Sequence, residues 1–214
     1  MNTVFTELDY IKPLHEAVKR ELSEKRLSHV VSVAKTAFEI CTLLTLSKEE
    51  TEKTVTAAYL HDITKEKEKA WHYEFCLQNG IILTEDDKMT DEVLHQITGA
   101  PYAKKMLPNV VCPTVYGAIS RHCTGDAGMS IYEKIVFLAD YIESLRKNEA
   151  CKALNHFFFC ECYDGNIRKH LDKAVLLAYD NTVRYLSEKG GSIHPATLKG
   201  RQDILKTLNL ERKI

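Results

Sequence analysis

Apolar residues recur at intervals of three and four along almost the whole chain, and no segment sustains an apolar/polar alternation bounded by hairpin turns. The pattern predicts an all-α protein. A first helix is expected over Ile11 to Leu22 with Pro13 in its first turn, and a second carrying His29, Val33, Ala34, Ala37, Phe38 and Cys41 on one broad face. Ser47-Lys48-Glu49-Glu50 reads as a capping box for a helix that runs through Val55, Ala57, Ala58 and Leu60 and ends at His61-Asp62. After a polar stretch from Thr64 to Lys69, Trp71 to Leu77 predicts a further helix stopped at Asn79-Gly80. Asp91 to Met106 places His95 on a short helix with Gly99-Ala100 packed close beneath it, and Pro101 leaves the boundary of that helix open. Pro113 can start the helix that reaches His122, Thr124 to Gly128 reads as a turn, and Ser130-Ile131-Tyr132-Glu133 is a second capping box. Phe157 to Cys162 is apolar enough for burial without declaring its form.

The chemistry concentrates where apolar helical runs meet His or Asp. His61-Asp62 closes one such run, His29 precedes Val30-Val31, His122 follows Ala118-Ile119, and Asp140 sits inside Ile135 to Ile142. A buried ionised Asp is costly unless it is paired or metal-bound, so the setting of Asp140 calls for a cation. His29, His61, Asp62 and Asp140 together offer two imidazole nitrogens and two carboxylates, a mixed set suited to iron, manganese, zinc or a similar ion. An ion in such a site lowers the pKa of bound water and neutralises phosphoryl oxygens, so phosphoester or phosphoanhydride hydrolysis suits these parts. Arg26, Lys65 and Arg146 flank the same segments and can meet phosphate charge. His95 and His122 could contact phosphate, donate a proton to a leaving oxygen, or bind a second metal; phosphate contact is favoured over the second metal. Taken singly, a His at a helix end is more often a cap than a ligand, and flanking Lys or Arg are usually solvated. Met129 and the aromatics around Trp71 read as packing, and His15, His72, His156 and His170 as structural or surface residues.

The chain has 214 residues, 44% hydrophobic and 28% charged, the mixture of one soluble globular domain spanning 1–214 with its core over about 20–200 and a peripheral C-terminal tail. A formal net charge of -1 gives no general basic field, so neither nucleic acid nor an acidic membrane surface is an expected partner. No apolar stretch approaches the roughly 20 residues needed to span a bilayer. Seven cysteines form no paired framework and follow no secretory signal, so reduced thiols in a cytoplasm are expected. Cys160 and Cys162 could bind a soft metal, but ordinary thiols are the favoured reading.

From about Arg26 to about Thr197 the ordered motifs resemble a known family. His29, His61-Asp62 and Asp140 are similar to the H…HD…D signature of the HD-domain superfamily of metal-dependent phosphohydrolases. Arg26-Leu27-Ser28-His29, Tyr59 to Lys65, Leu94-His95, Arg121 to Gly125 and Met129 to Glu143 resemble, more narrowly, the bacterial YqeK-type family, which hydrolyses diadenosine tetraphosphate symmetrically to two ADP. The resemblance implies a helical bundle with a metal cleft, an iron ion held by His29, His61, Asp62 and Asp140, with manganese, cobalt or zinc as alternatives, and a homodimer. It also implies that Arg26, Ile63, Thr64, Lys65, His95, His122, Cys123 and Arg146 surround the nucleotide phosphates, with Ser192, Ile193 and His194 closing over the nucleotide. Asp62, His95 and His122 are the expected catalytic residues, with Asp62 and Asp140 also bordering substrate. Cys123 stands where the family often has Thr, and Ser144-Leu145 replaces a Pro-Gly-like pair before Arg146. The competing expectations are a phosphohydrolase of nucleoside monophosphates or deoxynucleoside triphosphates, and a nucleotide-binding regulator without turnover.

Overall fold

A computed structural model describes residues 9–161 and 165–208, and every regular element among them is helical. The order is α1 (Lys12–Lys19), α2 (Glu24–Leu43), α3 (Lys48–Leu60), α4 (Lys69–Gln78), α5 (Glu85–Met89), α6 (Leu94–Met106), α7 (Pro113–Arg121), α8 (Ile131–Ile142), α9 (Glu149–Cys160), α10 (Ile167–Lys189) and α11 (Pro195–Thr207). A single 3-10 turn, Asp91–Val93, leads into α6.

Both expected capping boxes form. Ser47 Oγ accepts from the Glu50 backbone N–H while the Glu50 carboxylate accepts from Ser47 N–H, and Ser130 with Glu133 repeats the exchange at α8. A third box, Thr84 with Asp87, opens the short α5, which the apolar pattern did not announce. From these starts α3 and α8 run through the middle of the bundle. Thr54 to Leu60 is buried at seven successive positions, and Ile135 to Ala139 at five. A helix buried all round shows little one-sided periodicity, because neighbours cover every face. Here α2, α7 and α8 pack around α3, while α6 lies against α7 and α10 against α8.

Burying a Leu or Ile such as Leu60, Ile119 or Leu138 stabilises the fold by about 1.5–3 kcal/mol each before entropy is counted. One buried cluster runs from Ile11 to Leu205, so the core extends beyond the expected 20–200 at both ends. Phe38 departs from the expected buried face of α2 at 40% exposure. Pro101 lies inside α6 without ending it; packing of α6 against α7 and α4 offsets the missing N–H. Phe157 and Phe158 belong to α9, whereas Cys162 lies outside the described residues.

Two close approaches fix the region around the site. A Cβ on Gly117 would meet Glu133 Oε1 at 2.6 Å, and that carboxylate also pairs with Arg121 at 3.1 Å, which draws α7 against α8. Tyr179, fully buried on α10 against the Phe137 ring, brings its hydroxyl against the backbones of Gly125 and Gly200.

Candidate functional site

Four helix ends and one mid-bundle helix deliver the polar side chains. His29 comes from the second turn of α2, His61-Asp62 from the end of α3, His95 from the start of α6, His122 from the end of α7 and Asp140 from α8. They meet around Asp62, which is 3% exposed. Its Oδ2 faces His29 Nε2 at 3.6 Å, His61 Nε2 at 3.5 Å and Arg26 Nη1 at 2.8 Å. Its Oδ1 turns the other way, to His95 Nε2 at 3.3 Å and His122 Nε2 at 3.7 Å. Asp140 Oδ1 completes the first group, 3.1 Å from His29 Nε2 and 3.9 Å from His61 Nε2.

Each imidazole is aimed by a hydrogen bond at its other nitrogen. His61 Nδ1–H donates to Ala58 O at 2.6 Å, and His122 Nδ1–H donates to Ile119 O at 2.7 Å. Both carbonyls lie in a last helical turn, where the chain leaves such acceptors without intrahelical partners. His29 Nδ1–H donates to Glu143 Oε1 at 3.1 Å, and the other oxygen of Glu143 accepts from Leu145 N–H at 2.7 Å. The network thereby turns every Nε2 inward.

The donor set fits a divalent ion. His29 Nε2 and His61 Nε2 are buried with no hydrogen-bond partner, although Asp140 Oδ1 lies 3.1 Å from the first of them. Buried imidazole nitrogens are rarely left in this way. With Asp140 they bring three ligand atoms within 4.8 Å of one another, and His61, Asp62 and His122 form a second such group.

The charges follow the same geometry. Burial opposes ionisation of Asp62, yet the imidazoles around it, His61 first and then His122 and His95, hold its carboxyl well below the usual range. Asp140 is also held low against burial, by the adjacent His29 imidazole and the Arg146 guanidinium. Burial works against the imidazolium of His29, but Asp140 and Glu143 outweigh it and raise its pKa to about 9, the mark of a nitrogen surrounded by negative charge. His95 is driven the other way: burial first, then His122 and Lys65, keep it neutral. Because His122 Nδ1 carries a proton, His122 Nε2 accepts from His95 Nε2–H at 2.9 Å, and Lys65 Nζ donates to His95 Nδ1 at 3.2 Å.

The remaining sequence-derived residues divide. Arg146 turns back on Asp140 through its guanidinium and bonds the Asp140 carbonyl at 2.9 Å, with Ser144 linked to Ser32 at 3.2 Å across the replaced turn. Ile63 and Thr64 are fully buried: Ile63 joins the core, and the Thr64 hydroxyl bonds His95 O and Thr98 at 3.0 Å each. The Thr64 side chain thereby braces α6. A cleft of about 1110 Å³ adjoins the cluster and is walled in part by Cys123, Thr124, Tyr141, Arg146, Ser192 and His194. Ile193 is half-buried and is not among its walls. Both His194 nitrogens are engaged, Nδ1 accepting from Ala196 N–H as the cap of α11 and Nε2 at 3.1 Å from Asp87. Burial pushes the Cys123 thiol up to about 12, which leaves it no thiolate near neutrality.

Two positioning side chains were not read from the sequence. Gln96 Oε1 accepts from the Cys123 and Thr124 N–H groups at 3.0 and 3.1 Å, and its amide donates to Thr124 Oγ1 at 2.8 Å. Glu143, 3% exposed, ties His29 to the turn that carries Arg146. Its place three residues after Asp140 was the available signal. Glu143→Ala should weaken binding of a divalent ion about 10–100-fold and Glu143→Gln by less, as read by equilibrium metal titration. Unchanged affinity in both would show that His29 holds its orientation unaided.

Comparison with known proteins gives a consistent picture. A model of the HD domain family matches residues 26–145. The symmetrical bis(5'-nucleosyl)-tetraphosphatase of Halalkalibacterium halodurans is 30% identical over 192 residues, which is 89% of this chain and 94% of that protein. The enzyme of the same name from Bacillus subtilis is 27% identical over 184 residues, covering 84% and 89%. A crystal structure from Clostridium acetobutylicum, described as a predicted HD superfamily hydrolase involved in NAD metabolism, aligns with a TM-score of 0.78 and 28% identity over 92% of this chain and 97% of its own.

Proposed function

Because the chain belongs to the HD domain family, we propose that it is a divalent-metal-dependent hydrolase that cuts diadenosine tetraphosphate, and related dinucleoside polyphosphates, at the central phosphoanhydride to give two ADP. The observation that carries this reading is the pair of buried, unpartnered Nε2 atoms of His29 and His61 facing two ionised carboxylates, with Arg26, Lys65 and Arg146 at its edge. Such a set suits an ion and a chain of phosphates together. His29, His61, Asp62 and Asp140 would hold the metal. When bound, it supplies a water of lowered pKa and neutralises charge building on the phosphoryl oxygens. Iron is the ion we assign, with manganese, cobalt or zinc suited to the same nitrogen and oxygen ligands.

The protein's part is positioning and charge. Arg26 and Arg146 already touch the ligand carboxylates and keep donors free for phosphate, the planar guanidinium holding several N–H groups in one fork. Water adds to one of the two central phosphorus atoms and sheds its proton to solvent, while the bridging P–O bond breaks and its electron pair leaves on the β-phosphate oxygen of the departing ADP. That oxygen is a weak base, so the neutral His95 serves it by exchanging its Nε2–H bond to His122 for one to the oxygen, with Lys65 adding positive charge behind the ring. Thr64 and Gln96 act through other groups, as braces of the His95 backbone and of the Cys123-Thr124 backbone, and Ile63 is part of the core. Tyr141, Ser192 and His194 would border the nucleotide in the large cleft.

The chain would work as a single HD-type domain in a bacterial cytoplasm; its relatives come from bacteria, and no described helix is long and apolar enough to cross a membrane. Exposed Leu77 and Ile82 offer apolar surface for a homodimer. The test is product chromatography after anaerobic loading with ferrous iron. ADP as sole product from diadenosine tetraphosphate is expected. AMP with ATP would overturn central cleavage, and turnover confined to mononucleotides, or binding without turnover, would overturn the substrate.

A further inference from the structure

A symmetrical cut imposes a demand that the large cleft alone does not meet. Breaking the middle of a tetraphosphate leaves a nucleoside diphosphate on each side of the reaction centre, so a second diphosphate must leave the cluster in another direction. The contacts trace such a direction. From the cleft, Arg146 leads to Asp140, then to His29 and His61, then to Asp62, whose Oδ1 faces His95. Beyond His95 lies Lys65, its ammonium 3.2 Å from His95 Nδ1.

A second, smaller recess of about 280 Å³ opens there, walled by Lys65, Lys67, Lys69, His72, Asp91 and His95 among others. It shares Glu92 with the large cleft, so the two are neighbours around the same centre. Its cations are not fully spent. Lys65 has the His95 ring as its hydrogen-bond partner and makes no ion pair with any described carboxylate. Lys67 pairs with Glu21 at 2.9 Å and Lys69 with Asp91 at 2.6 Å, but an ammonium has three donors and each keeps some for a further acceptor. Cavities that enclose a drug-sized ligand run to roughly 300–1,000 Å³, so this one suits a diphosphate and leaves a nucleoside outside.

Resting on the proposed function, we infer that the Lys65–Lys67–Lys69 recess receives the diphosphate of the departing nucleotide, while the large cleft holds the retained half. The recess then sets a requirement for two phosphates beyond the cut and places little demand on the departing base.

The test counts ADP on the metal-loaded full chain by equilibrium dialysis and compares wild type with Lys67→Gln/Lys69→Gln. Both lysines lie at the protein surface, and neither touches the ligand cluster. Two ADP per wild-type chain are expected, the second of them bound about tenfold more weakly by the variant, with KM for diadenosine tetraphosphate raised about tenfold and kcat within about twofold, the scale of the lost charge-assisted phosphate contacts. One ADP per wild-type chain, or a KM that the double change leaves where it was, overturns the assignment. Counting ADP involves no turnover. A chain that binds two ADP, one of them through these lysines, yet leaves tetraphosphate intact would therefore sink the proposed substrate and uphold the diphosphate recess.

Discussion

Asp62→Ala is expected to abolish metal retention and to lower turnover of diadenosine tetraphosphate by at least about 10³-fold, the loss of several kcal/mol of transition-state stabilisation. The size follows from how the carboxylate is used. One oxygen faces His29, His61 and Arg26, the other His95 and His122, so a single truncation removes the charge common to both halves of the cluster. Truncating Glu143 is milder because it disturbs the aim of one imidazole and leaves the ligand atoms in place. Metal content by elemental analysis, turnover and thermal melting should be read together. Arg26 is half-buried and can return to water, so the variant should still fold. An Asp62→Ala protein with a full complement of metal and normal activity would refute the proposed site.

The second large effect concerns stability. Gly125→Ala should destabilise the fold by about 3 kcal/mol, seen as a lower urea midpoint at unchanged slope. Two costs add. Gly125 has φ +61, a left-handed conformation costing an L-residue about 1–2 kcal/mol, and the new methyl would collide with the Tyr179 hydroxyl, overpacking a site at about 1–3 kcal/mol. Gly128, in the same loop with φ +68 and nothing within 4 Å of a new Cβ, isolates the backbone share, so Gly128→Ala should lose only the smaller part. Equal midpoints for the two variants would mean that Tyr179 moves aside without cost, contrary to its complete burial.

How far the sequence spoke depended on whether the information was local. Ser47 with Glu50 and Ser130 with Glu133 were legible because a capping box is a contract between residues three apart, and they located the two helices that carry His61-Asp62 and Asp140. Thr84 with Asp87 obeys the same rule but opens a helix with no buried residue, so no apolar run pointed to it. Pro101 left the reach of α6 open, since the tertiary packing that carries the helix past a proline is invisible locally. The roles of Glu143 and Gln96 were hidden for a related reason: each acts on a residue of a distant segment, His29 in one case and the backbone after His122 in the other. Thr64, expected near the phosphates as a polar residue beside the HD pair, has its hydroxyl consumed inside the bundle.

The hydrogen bonds from His61 to Ala58 and from His122 to Ile119 restrict what else could stand at these positions. Aspartate, glutamate and cysteine thiolate can all bind a cation, but none has an N–H to give the carbonyl three residues back. Exchanging either histidine for one of them would strand a helix-terminal acceptor, and at His61 it would do so at the moment it supplied a new ligand atom. At His61 the choice of ligand for the proposed metal is therefore locked to the termination of α3, and a redesign for another metal would have to rebuild that helix end as well.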